Sequence, residues 1–225
     1  MILKKGESIV VSTEEDSNLE VTNIDGKLSI SKVRNLAKKI KGSVLDYLQN
    51  LSSEYKYKDQ ILKMYDDWSD KYEQMPAGAK HHHTYEGGLE KHTVQVIDTA
   101  LFLWDLNKST LASTVSVEDI IVASFLHDFS KVMTYRKLHT QEEIDKNNGY
   151  PFKWDSKLEG HDMETWTIQK CMEYGIVLTE AQINAIFFAE GGFSRWGQTP
   201  RHPKWTTLAV LIACADLYSA CALKK

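Results

Sequence analysis

Apolar residues recur at helical spacing over most of this chain. Val33, Leu36, Ile40, Val44, Tyr47, Leu48 and Leu51 recur at the spacing of three and four that marks one helix face, with Lys and Asp between them, and Ser31 stands where an N-cap is expected. Ile61, Leu62, Tyr65 and Trp68 mark one face of a second helix over about 58–73, which Pro76 and Gly78 bring to an end. Val94, Ile97, Leu101 and Trp104 are in phase over 92–106, and Ser116 caps a helix leading to His127. Further helices are predicted over about 160–174, over 179–189 with Thr179 as cap, and over 205–223. Residues 134–159 read as irregular, with a loop through Asn147, Gly149 and Pro151. Residues 1–30 differ: short β-prone runs (9–11 and 19–24) and the turn pair Asp25-Gly26 suggest a hairpin. The expectation is an all-α bundle over 31–225 preceded by a β-like extension over 1–30.

Composition limits the function classes. The 225 residues suffice to bury a sizeable core, and the 26% charged residues are ordinary for a globular domain. A net charge of -4 argues against a surface that coats nucleic acid, though not against a local basic groove. Three cysteines without CxxC spacing give no disulfide framework, which suits a reducing, cytoplasmic compartment. No run is long and apolar enough for a signal peptide or a membrane span: the stretch Leu208–Leu217 is short and carries Asp216. The oligomeric state stays open, a homo-oligomer included.

The candidate chemistry centres on His127-Asp128, which directly follows the apolar run 120–126. An imidazole and a carboxylate in poor solvation call for a partner, because a buried charge is costly unless paired or bound to a cation. Asp216 poses the same question near the end of the apolar run 208–215. His92 opens a helix with a well-formed apolar face and can point inward. Two imidazoles and two carboxylates suit a divalent ion such as Mn, Fe, Co, Ni, Zn or Mg. Such an ion generates hydroxide near neutral pH and polarises a phosphoryl oxygen.

The ordered set His92, His127-Asp128 and Asp216 resembles the HD-domain superfamily of metal-dependent phosphohydrolases, over roughly residues 61–220. Within it, the chain looks most like the catalytic part of YhaM-type 3′→5′ exoribonucleases. The shared features are Pro76-Ala77 with Lys80, the His82-His83 pair, a Gly-Leu step before His92, Gly160-His161 and Trp196-Gly197. The resemblance implies an HD helical bundle and one metal held by His92, His127, Asp128 and Asp216. It also implies a second metal site, for which His161 is the candidate ligand. The sequence departs from the family where a His pair becomes Glu190-Gly191, and where a glycine before Lys131 is replaced by Ser130. Asp128, Lys131 and Glu190 are then the catalytic candidates. His82, His83, Lys131, Arg195 and Arg201 are the candidates for substrate contacts. The expected reaction is hydrolysis of a phosphate ester or anhydride of a nucleotide by metal-activated water. A phosphodiesterase or exonuclease acting on short oligonucleotides or cyclic nucleotides is one alternative, and a non-catalytic, metal-binding nucleotide sensor another.

Overall fold

The computed structural model describes residues 8–12, 18–24, 27–33, 42–155, 162–191 and 205–223, with side chains described from 42 onward. Two compact units divide the chain, Met1–Lys41 and Gly42–Lys225. The first holds an antiparallel meander of β1 (Ser8–Ser12), β2 (Asn18–Ile24) and β3 (Lys27–Val33), with β2 in the middle. Ile24 pairs with Lys27 at the end of the β2–β3 hairpin, and the expected turn pair Asp25-Gly26 lies outside the described residues. Strand β3 extends beyond the expected boundary, so Ser31 pairs with Glu20 and is no helix cap. The reason is legible in the alternation of Leu28 and Ile30 with Lys27, Ser29 and Ser31, a period of two that continues the hairpin.

In the second unit the helix expected from Ser31 is observed as α1 (Val44–Gln49), opened by Ser43. The Ser43 hydroxyl accepts from the Asp46 amide and the Asp46 carboxylate accepts from the Ser43 amide, a reciprocal capping box. Helix α2 (Lys58–Tyr72) buries Ile61, Met64, Tyr65 and Tyr72. Helix α3 (Gly88–Leu106) begins four residues before His92, which therefore lies inside the helix. The one-turn helix α4 (Lys108–Leu111) leads to α5 (Val117–Leu126), capped by Ser116 as expected. The short helix α6 (Lys131–Thr134) follows, and the region expected to be irregular contains regular pieces: β4 (Tyr135–Lys137), α7 (Gln141–Lys146) and β5 (Phe152–Trp154). Three helices complete the unit: α8 (Met163–Glu173), α9 (Glu180–Phe188), capped by Thr179, and α10 (Thr207–Ala222). The protein is mostly helical, as the periodicity predicts.

Helices α3 and α10 pack along each other, and both pack on α5. Their shared core is apolar: Val96, Ile97 and Ala100 on α3, Ile120 and Val122 on α5, and Leu208, Ile212 and Ala215 on α10 are all buried. Beside it lies an aromatic cluster. Phe129, fully buried, meets Phe125 at 5.2 Å and stacks near-parallel on Tyr72 at 6.1 Å and on Trp166 at 6.1 Å. Buried aromatic rings in offset or edge contact gain beyond their transfer from water. This cluster fixes the turn at the end of α5, where His127 and Asp128 stand.

Candidate metal centre

His127 is the residue that closes α5, Asp128 follows it, His92 lies one turn into α3, and Asp216 lies on α10. The packing of these three helices brings the four side chains together. His92 Nε2 lies 2.9 Å from Asp216 Oδ1 and 3.4 Å from Asp128 Oδ2. His127 Nε2 lies 3.4 Å from Asp128 Oδ2 and 3.8 Å from Asp216 Oδ1. The two Nε2 atoms are 3.4 Å apart. His92 is fully buried, and His127 and Asp128 nearly so.

The outer hydrogen bonds say which ring nitrogens carry protons. His127 Nδ1 is 2.6 Å from the Ser124 carbonyl, which can only accept, so Nδ1 donates. For His92 three groups fix the proton: Ser219, Gln95 and the Leu223 carbonyl. Gln95 Nε2 donates to the Leu223 carbonyl, which turns Gln95 Oε1 toward Ser219. The Ser219 hydroxyl donates to that oxygen at 2.7 Å, leaving its lone pairs to accept from His92 Nδ1 at 2.9 Å. In their neutral forms both imidazoles therefore present an Nε2 lone pair to the same place, alongside two carboxylates. Lone pairs converging on one point repel unless a cation lies among them. This donor set fits a divalent ion bound by two imidazole nitrogens and two carboxylate oxygens, each imidazole oriented by an outer acceptor.

The electrostatics agree. Burial by itself would raise the Asp128 pKa, but Lys131, His127 and His92 hold it well below the usual carboxylate range. Burial likewise opposes ionisation of Asp216, yet its bond to His92 and the nearby His127 lower its pKa. Burial would lower the His127 pKa, whereas Asp128 and Asp216 raise it. The centre thus favours two charged carboxylates and attracts positive charge. Lys131 Nζ donates to Asp128 Oδ2 at 2.6 Å, so its ammonium stands at the edge of the set.

His82 and His83 reach the centre from the preceding turn. Their rings lie 4.9 Å and 5.3 Å from the His92 ring, and suitable atoms of His82, His83 and His92 are close enough together to hold an ion. Burial, with His92 as neighbour, pushes both pKa values down to about 4, which leaves both rings neutral near pH 7. The turn depends on tight backbone contacts. Ala77 N donates to the His83 carbonyl and Leu89 N to the Met75 carbonyl. A side chain on Gly88 would come within 2.1 Å of that His83 carbonyl, so glycine is required there. His83 itself has φ 45, a left-handed conformation uncommon outside glycine that concentrates at functional sites.

A cavity of about 490 Å³ opens beside His127 and Asp128, within the range of small-molecule sites. Lys131, His82 and Glu190 line it, as do Glu164, Tyr135 and Trp154, which sequence reading missed. Glu190 faces solvent at the rim, yet the surrounding walls, with Asp128 and Asp216 nearby, raise its pKa. Glu164, half-buried, is raised in the same way by burial and then by Asp162 and Glu190. His161, Arg195 and Arg201, with the Trp196-Gly197 step, lie outside the described residues.

Comparison with known proteins adds one functional likeness. A stretch of 63 residues, 28% of this chain, is 38% identical to the dihydroneopterin 2′,3′-cyclic phosphate phosphodiesterase of Methanocaldococcus jannaschii. That stretch covers 25% of the relative's own length. No family model matches the chain, and no solved structure does. Over part of its length, then, the chain is similar to a protein that hydrolyses a phosphodiester. Among the described residues no helix is long and apolar enough to cross a membrane.

Proposed function

We propose that this protein is a metal-dependent phosphohydrolase of the HD-domain type that acts on a phosphoester of a nucleotide-like compound. The observation that carries the reading is the convergence of the His92 and His127 Nε2 atoms with the Asp128 and Asp216 carboxylates, both Nδ1 hydrogens being engaged elsewhere. His92, His127, Asp128 and Asp216 would hold one divalent ion. When bound, such an ion supplies Lewis acidity and lowers the pKa of water toward neutrality. The remaining roles belong to the chain. Asp128 keeps its negative charge and is placed to accept a proton from the attacking water. Lys131 has its ammonium 2.6 Å from Asp128 and lines the cavity, where it can pair with a phosphate oxygen. Neutral His82 supplies a further contact on the same wall. Glu190 lines the same cavity with its pKa raised by burial and by the nearby Asp128, which makes its carboxylate a stronger base than an ordinary one and suits it to exchange a proton with the substrate or water.

The partial likeness to a cyclic phosphate phosphodiesterase favours a diester over a monoester as substrate. The test is product analysis with chelator-stripped protein, to which Mn²⁺, Co²⁺, Ni²⁺, Zn²⁺ or Mg²⁺ is restored one at a time. Nucleoside 2′,3′-cyclic phosphates, dinucleotides and nucleoside monophosphates are offered as substrates. Metal-dependent production of a monophosphate from a diester, abolished by Asp128→Ala, is the expected result. Release of free phosphate from monophosphates alone would move the protein to the nucleotidases. Bound metal with no turnover of any member of the panel would leave the sensor reading in its place.

A further inference from the structure

The hairpin of β4 and β5 is not required by the metal centre, yet it forms a wall of the same cavity. Tyr135 and Trp154 are paired across it and both line the cavity. Their rings meet edge to face, with centroids 6.0 Å apart and planes at 85°. Tyr135 looks toward the chemistry: its phenol accepts a hydrogen bond from the Ala79 amide, and the charges of Lys131, Asp128 and Glu190 act on it. Trp154 stands beside Tyr135 in the wall of the same cavity. Trp154 is 44% exposed.

This hairpin is firmly held. Phe152 is buried, and its carbonyl accepts from the Asn147 side chain at 2.9 Å. Leu138 N donates to the Pro151 carbonyl at 2.8 Å and Asp155 N to the Thr134 carbonyl at 2.9 Å. Lys137 is tied to Glu86 at 2.6 Å. An exposed indole on a fixed hairpin, beside a polar, charge-rich cavity, is an apolar surface placed where a ligand would cover it. An aromatic face suits a planar group attached to a phosphate rather than the charged phosphate itself.

We propose that Trp154, backed by Tyr135, is a stacking platform for a planar heterocycle carried by the phosphoester substrate, a nucleobase or a ring of similar shape. The placement of the phosphate rests on the phosphohydrolase reading above; the stacking surface does not. Aromatic stacking tolerates different bases because each has a π face, and it is worth about 1–3 kcal/mol per base. The platform therefore selects for a ring and discriminates little among rings.

The experiment compares adenosine 2′,3′-cyclic phosphate with ribose 2′,3′-cyclic phosphate, which offers the same ester without a base, on the full chain and on Trp154→Ala and Trp154→Phe. In the wild type, kcat/KM should favour the adenosine compound. Trp154→Ala should raise its KM about 5- to 150-fold, as that stacking energy converts, and leave kcat/KM for the ribose compound unchanged. Trp154→Phe should restore most of the loss. Equal preference for the two esters in the wild type, or an equal loss on both in Trp154→Ala, would overturn the proposal. If neither ester is cleaved, the preference for a cyclic diester fails and equilibrium binding decides the platform. Tighter binding of the adenosine compound, weakened by Trp154→Ala, would uphold it, and equal binding of the two by the wild type would overturn it.

Discussion

Ser219 touches no substrate in the proposed reaction, yet it should control metal affinity. Its hydroxyl gives its proton to Gln95 and so must accept from His92 Nδ1, 2.9 Å away. That bond keeps the His92 Nε2 lone pair facing Asp128, Asp216 and His127. In Ser219→Ala the acceptor is gone. The ring then has a better alternative, the other tautomer, in which Nε2 carries the hydrogen and donates to Asp216 Oδ1 at 2.9 Å. An ion can bind only after that hydrogen is removed or returned to Nδ1, where it would be buried without an acceptor. A buried donor without a partner costs about 1–3 kcal/mol. Outer partners of metal-binding histidines typically govern metal affinity by about 10- to 100-fold. The expected loss for Ser219→Ala is therefore about 10- to 100-fold, or about 1.4–2.7 kcal/mol. The assay is competition for Mn²⁺ or Zn²⁺ between the chelator-stripped protein and a chromophoric chelator at fixed pH. Urea unfolding of the metal-free variants controls for folding. Ser219→Thr, which keeps the hydroxyl, should bind like the wild type. Wild-type affinity in Ser219→Ala would refute the tautomer argument and show that the Ser219 hydroxyl does not orient His92.

Other groups in the structure carry expectations of their own. Because the Glu190 pKa is raised, its carboxylate is still protonated somewhat above the usual range, and its basic form appears as pH rises through the raised value. Activity that needs this base should rise with pH through that region, and Glu190→Gln should flatten the acid limb and lower the plateau by about 10²–10⁴; an unshifted acid limb in a pH–rate profile would exclude Glu190 as the base. Phe129→Ala removes a fully buried ring from contacts with Tyr72, Phe125 and Trp166 and should cost about 3–5 kcal/mol in urea unfolding. A loss below about 1 kcal/mol would mean that the cluster does not hold the end of α5. Cys214 and Cys221 are exposed, while burial pushes the Cys171 thiol up to about 12. A thiol reagent should modify Cys214 and Cys221 in the native protein and Cys171 only after unfolding, and fast labelling of Cys171 would contradict its burial.

Periodicity in the sequence determined the helices, because an amphipathic helix writes its core face into every third or fourth residue. The caps at Ser116 and Thr179 were legible for the same local reason, since a hydroxyl accepts from an amide three positions on. Ser31 misled because an apolar spacing of three or four can straddle a strand end, and the β hairpin extended through it. The four residues of the proposed metal set were legible singly, as charged or imidazole side chains beside apolar runs. Their meeting was expected only through the family resemblance and not from local pattern, because residues 92 and 216 approach only when α3 and α10 pack. Tertiary structure alone decided the rest of the site. Ser219 is an unremarkable helix hydroxyl until the fold sets it against His92, more than a hundred residues away. Tyr135 and Trp154 are separated by a loop with a helix of its own and meet only through cross-strand register. Local sequence codes for dihedral preference and burial; the direction of a ring nitrogen's lone pair depends on which distant acceptor takes its hydrogen, and that is set by the packing.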